Sequence, residues 1–357
     1  MNHSRGRSLT AALALLVLSA CGVPEGDLPP PGPSLGDWTE AVRIGRLEGS
    51  DEEVFGNIRS AVLLERDGVV ILDDQGARAI GFDDRGTHAF TLGRRGQGPG
   101  EFVDPSALFR ISDDTLAFLN RSVRTLQLFA KQHPTDTFRE IGRRELPFWP
   151  SSGCSMRGRI FILGGYEDRA VHEVDREGAV LNSFPASDYA DEAAEGAPEA
   201  IAWDLRDQAQ SGLLVCSEAS GHVMHVPRRL GWGRAYTAAG DLAWHSSFPD
   251  FVKGMVVPAA GGVAIKYEFD PDFNFSYAVV GAAPVADTHL AVSISVSVPR
   301  GQEPEVEGLL ALLDLATGAQ TRRDESGAVV VSGLGERIAV VYREPFPTLA
   351  ILQRGEW

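Results

Sequence analysis

The stretch Gly93-Arg-Arg-Gly-Gln-Gly-Pro-Gly-Glu-Phe102 stands between two sets of short apolar segments, and its reading decides the fold. Upstream, residues 60–64, 69–73, 79–82 and 88–92 are parted by Arg66-Asp-Gly68, Asp74-Gln-Gly76 and Asp84-Arg-Gly86, each break ending in glycine. That is turn chemistry between neighbouring antiparallel strands. Downstream, residues 106–110, 115–119, 125–129 and 138–141 repeat the layout. Ser60 to Ser106, Val69 to Thr115 and Ile80 to Leu126 are each 46 residues. A third round opens near Ser152, with segments at 154–156, 159–163, 170–175 and 180–184. Four strands per unit at a period of 40–50 residues is the signature of propeller blades. An immunoglobulin-like sandwich has short alternating strands too, but not this period. The glycine-rich stretch is then the hand-over from one blade to the next.

Working outward, a fourth unit reads at 213–216, 222–226, 232–236 and 241–244, and a fifth at 276–280, 289–296, 309–314 and 320–322. The last unit has three strands, at 328–331, 337–342 and 348–352, and residues 41–47 supply the missing fourth. The expectation is an all-β, six-bladed β-propeller of four-stranded antiparallel blades, closed by an N-terminal strand joining the last blade. Residues 249–275 read as an extra hairpin or part of another blade; seven blades is the alternative if they make one alone. Residues 188–203, with Asp188, Asp191, Glu192, Glu195 and Glu199 among alanines, read as a solvated, helical insertion.

Composition agrees with a turn-rich fold. Gly 39 and Pro 21 together are about 17% of 357 residues, against a usual ~12%. The formal charge is −16, or −18 once Arg5 and Arg7 are removed. Such an acidic chain repels phosphate backbones, and no basic stripe is visible, so nucleic acid is not an expected partner.

At the N-terminus, Arg5 and Arg7 precede the apolar run Ala11-Ala-Leu-Ala-Leu-Leu-Val-Leu-Ser-Ala20. Ten residues are too few to span a bilayer as a helix, and the pattern is that of a secretory signal. Leu18-Ser-Ala-Cys21-Gly22 resembles the lipobox of bacterial lipoproteins. The resemblance implies cleavage before Cys21, lipid attachment there, and, with Gly22 next, sorting to the outer membrane. Residues 23–36 hold five prolines in fourteen positions, a semi-rigid extended spacer. The division expected is a signal peptide at 1–20, a lipidated Pro-rich tether at 21–37 and one propeller domain at 38–357. Cys154 and Cys216 remain after the anchor and fall on first strands of successive units. In an oxidising exported compartment they are a candidate disulfide, with two free buried thiols as the alternative.

The Gly93–Phe102 stretch, the Asp-rich strand end Ile71-Leu-Asp-Asp74 and the lipobox together resemble the bacterial six-bladed β-propeller lipoproteins related to NHL-repeat proteins. Trp232 to Phe248, with Tyr236, Gly240 and Trp244, is similar to a later blade of that family. The resemblance implies a fold and an envelope location, at the outer membrane facing the periplasm or the cell surface. It carries no catalytic motif.

Candidate chemistry is sparse. Gly96-Gln-Gly-Pro-Gly100 suggests a phosphate loop, but Pro99 lacks an amide donor, no helix follows and there is no Gly-Lys-Ser/Thr. His222 and His225, three apart on a strand, point to opposite faces and cannot chelate one ion. Asp270-Pro-Asp-Phe-Asn274 has calcium-loop spacing, yet Phe275 stands where glycine is needed and Gly281 where glutamate is. No Gly-x-Ser-x-Gly elbow occurs, and two cysteines do not make a zinc site. No catalytic, cofactor-binding or metal residue is therefore assigned, with calcium the one alternative cofactor.

The reading favoured is a membrane-anchored, non-catalytic binding module for a protein, peptide or glycan. The alternatives are a scaffold subunit of an outer-membrane assembly and a calcium-dependent lactonase resembling gluconolactonase propellers. Carboxylates converging on the axis would favour the enzyme; an apolar plug would leave binding to the loops.

Overall fold

The structure is a computed structural model and describes residues 35–66, 68–133, 136–185, 195, 199–248, 251, 254–259, 262–267, 276–297 and 308–354. After a single 3₁₀ turn, Leu35–Asp37, strand β1 (Trp38–Ile44) leads into blade 1. That blade is β2 (Ile58–Leu64), β3 (Gly68–Asp73), β4 (Arg78–Phe82) and β5 (His88–Leu92). Blade 2 is β6 (Pro105–Ser112), β7 (Thr115–Asn120), β8 (Thr125–Ala130) and β9 (Arg139–Glu145). Blade 3 is β10 (Ser152–Met156), β11 (Arg159–Tyr166), β12 (Arg169–Val174) and β13 (Val180–Pro185). Helix α1 (Glu199–Gln210) precedes blade 4, which is β14 (Gly212–Ser217), β15 (His222–Pro227), β16 (Trp232–Thr237) and β17 (Leu242–Ser247). The hairpin β18 (Gly254–Ala259) and β19 (Gly262–Tyr267) follows. Blade 5 is β20 (Ser276–Val285), β21 (His289–Ser297), β22 (Gly308–Asp314) and β23 (Gln320–Glu325). Blade 6 is β24 (Val329–Leu334), β25 (Arg337–Tyr342) and β26 (Thr348–Arg354), with β1 as its outer strand.

The fold is thus a six-bladed propeller, and residues 254–267 form a separate two-stranded sheet rather than a seventh blade. Closure runs through β1, paired antiparallel to β26 from Trp38 opposite Arg354 to Ile44 opposite Leu349. The strand lies three residues earlier than the sequence pattern suggests. Trp38 is buried in the seam between blades 5 and 6, while Gly45 takes φ +116° and turns the chain away. Leu47 is left 68% exposed. Most of the acidic insertion at 188–203 lies outside the described residues; helix α1 takes in its end and runs from Glu199 to Gln210.

The continuous apolar runs follow from where the core sits. In a strand, successive side chains alternate between faces. Both faces of an inner sheet are covered here, so all six residues of β3 are buried. Ile71 points into the seam with blade 6, beside Phe82, Ala339 and Ile351. Val70 and Leu72 point into the seam with blade 2, beside Leu108, Phe118 and Phe129. Six such wedges, one per seam, replace a single central core.

The Gly93–Phe102 stretch joins β5 to β6. Gly93 has φ +77°, and a Cβ there would lie 2.2 Å from the Phe102 ring. Phe102 is wholly buried, 4.8 Å from Phe118 and 5.8 Å from Phe129 between ring centroids. The loop closes on itself: the Glu101 carboxylate accepts from the Gly98 amide at 2.8 Å and from Arg94 Nε at 2.7 Å. Those donors hold the Glu101 carboxyl below its usual range, with the Gly98 amide the larger cause. Arg143 of β9 donates to the carbonyls of Gln97, Gly98 and Glu101. Within the loop, the Gly96 and Phe102 amides donate to the Phe102 and Arg94 carbonyls, so much of its backbone is engaged in the fold.

Candidate functional site: the two mouths of the axial channel

The innermost strands β2, β6, β10, β14, β20 and β24 stand around the axis. Each pairs on one edge with the next strand of its blade, which leaves the other edge without a ladder. Serines of neighbouring blades meet much of that need. The Leu63 amide donates to Ser332 Oγ at 3.1 Å and the Leu108 amide to Ser60 Oγ at 3.2 Å. The Leu214 amide donates to Ser152 Oγ at 3.0 Å and the Val330 amide to Ser293 Oγ at 2.9 Å. Capping each edge amide avoids the penalty for an unmet buried donor. Ser60 and Ser152, with Ser106 between them, sit at the 46-residue period, so the repeat carried this signal although no role was read from it.

Two cavities lie around the axis, one towards each end of the innermost strands. The upper mouth, where the innermost strands begin, is a cavity of about 160 Å³ beside Ser60, Ser106, Ser152 and Gly212. The lower mouth, of about 240 Å³, is lined in part by Cys154, Cys216, Ser217 and Glu218. Leu108, Gly153, Leu214, Ala282 and Val331 line both cavities. Among the described residues, no three His, Cys, Asp or Glu side chains gather as a metal site needs.

The upper mouth is basic, a feature no sequence pattern revealed. Arg59 comes from β2, Arg228 from the turn after β15 and Arg343 from the turn after β25, and all three line the cavity. Arg228 is half-buried, and its own backbone is fixed: its amide donates to the Ser211 carbonyl and its carbonyl accepts from the Val279 amide, each at 2.8 Å. Burial, then repulsion from Arg59, Arg229 and Arg343, holds its guanidinium below the ordinary arginine value. Arg59 donates from Nε to the Ser106 carbonyl at 3.3 Å. Among the described residues, no carboxylate pairs with Arg59, Arg228 or Arg343.

The same end carries both insertions. Helix α1 enters the first strand of blade 4 and packs against the hairpin β18–β19 and against β11. Arg206 reaches Asp168 at 3.5 Å, and Asp207 reaches Arg121 at 3.4 Å. Strand β1 begins at the opposite end. Trp38 pairs with Arg354, whose amide donates to the Glu336 carbonyl in the lower turn of blade 6. The 3₁₀ turn Leu35–Asp37 therefore meets the ring at its lower end.

At the lower mouth, Cys154 and Cys216 face each other across the seam of blades 3 and 4. Their Cα atoms are 5.6 Å apart and their sulfurs are bonded. Arg110 is paired there, at 2.8 Å to Asp113 and 3.4 Å to Glu65.

The histidines of β15 are held apart. His225 is buried and hydrogen-bonds through Nε2 to the Gln210 carbonyl at 2.8 Å, with burial pushing it down to about 4. His222 uses Nδ1 on the Leu315 carbonyl at 3.1 Å. The Asp270–Asn274 spacing and Cys21 lie outside the described residues.

No family model and no curated protein matches the chain. Solved structures do. A protein from Bacteroides fragilis described as exported shares 11% identity over 89% of this chain and 95% of its own, with a TM-score of 0.55. A DUF4221 member from Bacteroides vulgatus shares 8% over 88% of this chain and 97% of its own, also at 0.55. At such identity the likeness bears on the fold.

Proposed function

We propose that this chain is an exported propeller, held at a membrane by lipid on Cys21, that acts as a non-catalytic binding module for a protein, peptide or glycan. The observation that carries this reading is the division of the ring into two ends. Helix α1, the hairpin β18–β19 and the arginine-lined mouth share the upper end, while Leu35–Asp37 and the start of β1 lie at the lower. A ring tethered this way turns its elaborated end away from the bilayer. Recognition residues concentrate on loops held by a rigid scaffold, and here the scaffold is the six-seam ring.

Two measurements test it. Mass spectrometry of the mature N-terminus should find acylated Cys21, and Cys21→Ser should release the protein from membranes; an unmodified Cys21 removes the anchor. A photo-crosslinker at Gln208, exposed on α1, should capture a partner in intact envelopes, whereas one at Arg157, exposed in a lower turn, should not. Equal capture from both positions, or capture from Arg157 alone, would overturn the assignment of the upper end.

A further inference from the structure

We infer that the upper mouth binds an oxyanion, a phosphate, sulfate or carboxylate group carried by the ligand, with Arg228 at its centre and Arg59 and Arg343 beside it. This rests on the upper end being the binding end and adds the chemistry of what binds there.

Three observations carry it. The first is convergence: three guanidinium groups reach one cavity of about 160 Å³ from blades 1, 4 and 6. Nothing in strand pairing or seam packing requires that meeting, because the seams are filled by other side chains. The second is the lack of compensation. Buried or half-buried charges are normally paired, and elsewhere this chain follows the rule. Arg159 forks onto Glu173 with two contacts of 2.6 Å, and Arg78 meets the buried Asp73 at 3.3 Å. At the mouth, carboxylates are missing among the described residues although the chain has 49 Asp and Glu against 33 Lys and Arg. The third is the mutual repulsion already described around Arg228, which a bound anion would relieve. The donor set also selects the ligand. A guanidinium offers five N–H donors in a rigid fork and no acceptor, which matches the paired oxygens of phosphate, sulfate and carboxylate. A concave site of one sign also focuses its field on an incoming counter-charge.

The test is titration of the intact protein with inorganic phosphate, sulfate or acetate, followed by calorimetry and by Tm, with chloride holding ionic strength constant. Saturable one-site binding is expected, weakened at least tenfold by Arg228→Gln and severalfold by Arg343→Gln, and unchanged by Arg157→Gln. The preferred anion identifies the oxyanion class. Without anion, Arg228→Gln should raise Tm, because glutamine removes a charge that burial and its neighbours disfavour, and added phosphate should then raise Tm no further. Binding that survives Arg228→Gln, or heats that never saturate in any variant, would overturn the inference. So would a Tm lowered by Arg228→Gln with no change in anion response, since that marks a structural arginine. If Arg228→Gln does not fold, the exposed Arg343→Gln still decides. The titration needs neither membrane nor partner, so its failure is separable from failure of the crosslinking experiment.

Discussion

Leu63, on the first strand of blade 1, donates its amide to the Ser332 hydroxyl on the first strand of blade 6 at 3.1 Å. The two residues meet across the seam where the ring closes. The bond satisfies an edge amide that no neighbouring strand reaches.

Ser332→Ala should therefore cost about 1–3 kcal/mol, the penalty for leaving a buried amide unmet. Ser152→Ala should cost a similar amount, because it orphans the Leu214 amide. Urea denaturation would read both. An unchanged midpoint in either variant would show that water replaces the hydroxyl.

The hand-over loop separates two costs of glycine. Gly93→Ala should destabilise by roughly 3 kcal/mol, combining left-handed strain with displacement of the buried Phe102 ring. Gly100 has φ +74° and open space around its would-be Cβ, so Gly100→Ala should cost only about 1–2 kcal/mol. Similar Tm losses for the two would show that backbone strain, not the Phe102 contact, dominates.

Cys154 and Cys216 lie 62 residues apart in the chain. A crosslink of that span stabilises by about 4 kcal/mol when its effect is on the unfolded chain. The native protein should resist alkylation until unfolded in reductant, and Cys154→Ser should lower the denaturation midpoint accordingly. Ready alkylation of the native protein would mean that the two are free thiols.

Stability should fall in mild acid. Burial is the main cause holding His172 and His225 down to about 4 in the folded ring, from an ordinary 6.5. The unfolded chain binds the extra protons first, so the stabilisation is complete above about pH 6.5 and is lost as pH falls towards about 4. Each histidine contributes at most ~3 kcal/mol. Carboxylates held below their usual range, such as Glu40 and Asp83, lose stability only at lower pH. His225→Gln should flatten the slope between pH 6.5 and 5; an unaltered slope would exonerate this histidine.

The ring was legible because its chemistry repeats locally. Ser60, Ser106 and Ser152 mark successive first strands, and the glycine-ended breaks of blade 1 mark its turns. Even the ring-closing strand was legible, because blade 6 was one strand short. Its position was off by three residues, since burial of Trp38 and the turn at Gly45 are tertiary facts. Six against seven blades turned on residues 249–275, whose described strands β18 and β19 make a two-stranded sheet of their own, too few for a blade. The arginine mouth was not legible at all. Arg59, Arg228 and Arg343 share no spacing and no motif, and only closure of the ring brings them together. Net charge concealed them too, because a strongly acidic chain can still concentrate its cations in one spot.

The pairing of β1 with β26 also sets a timetable. Thr39 and Gln353 hydrogen-bond across 314 residues of sequence, so β1 waits for the last strand to pair. Long-range pairing slows folding, and until it forms, blade 6 keeps an open sheet edge of the kind that invites misassembly. A permuted chain that begins at Ile58 and carries residues 38–44 after Arg354 would hand β26 its neighbour at once. It should refold faster than the natural order, with the same six seams at the end.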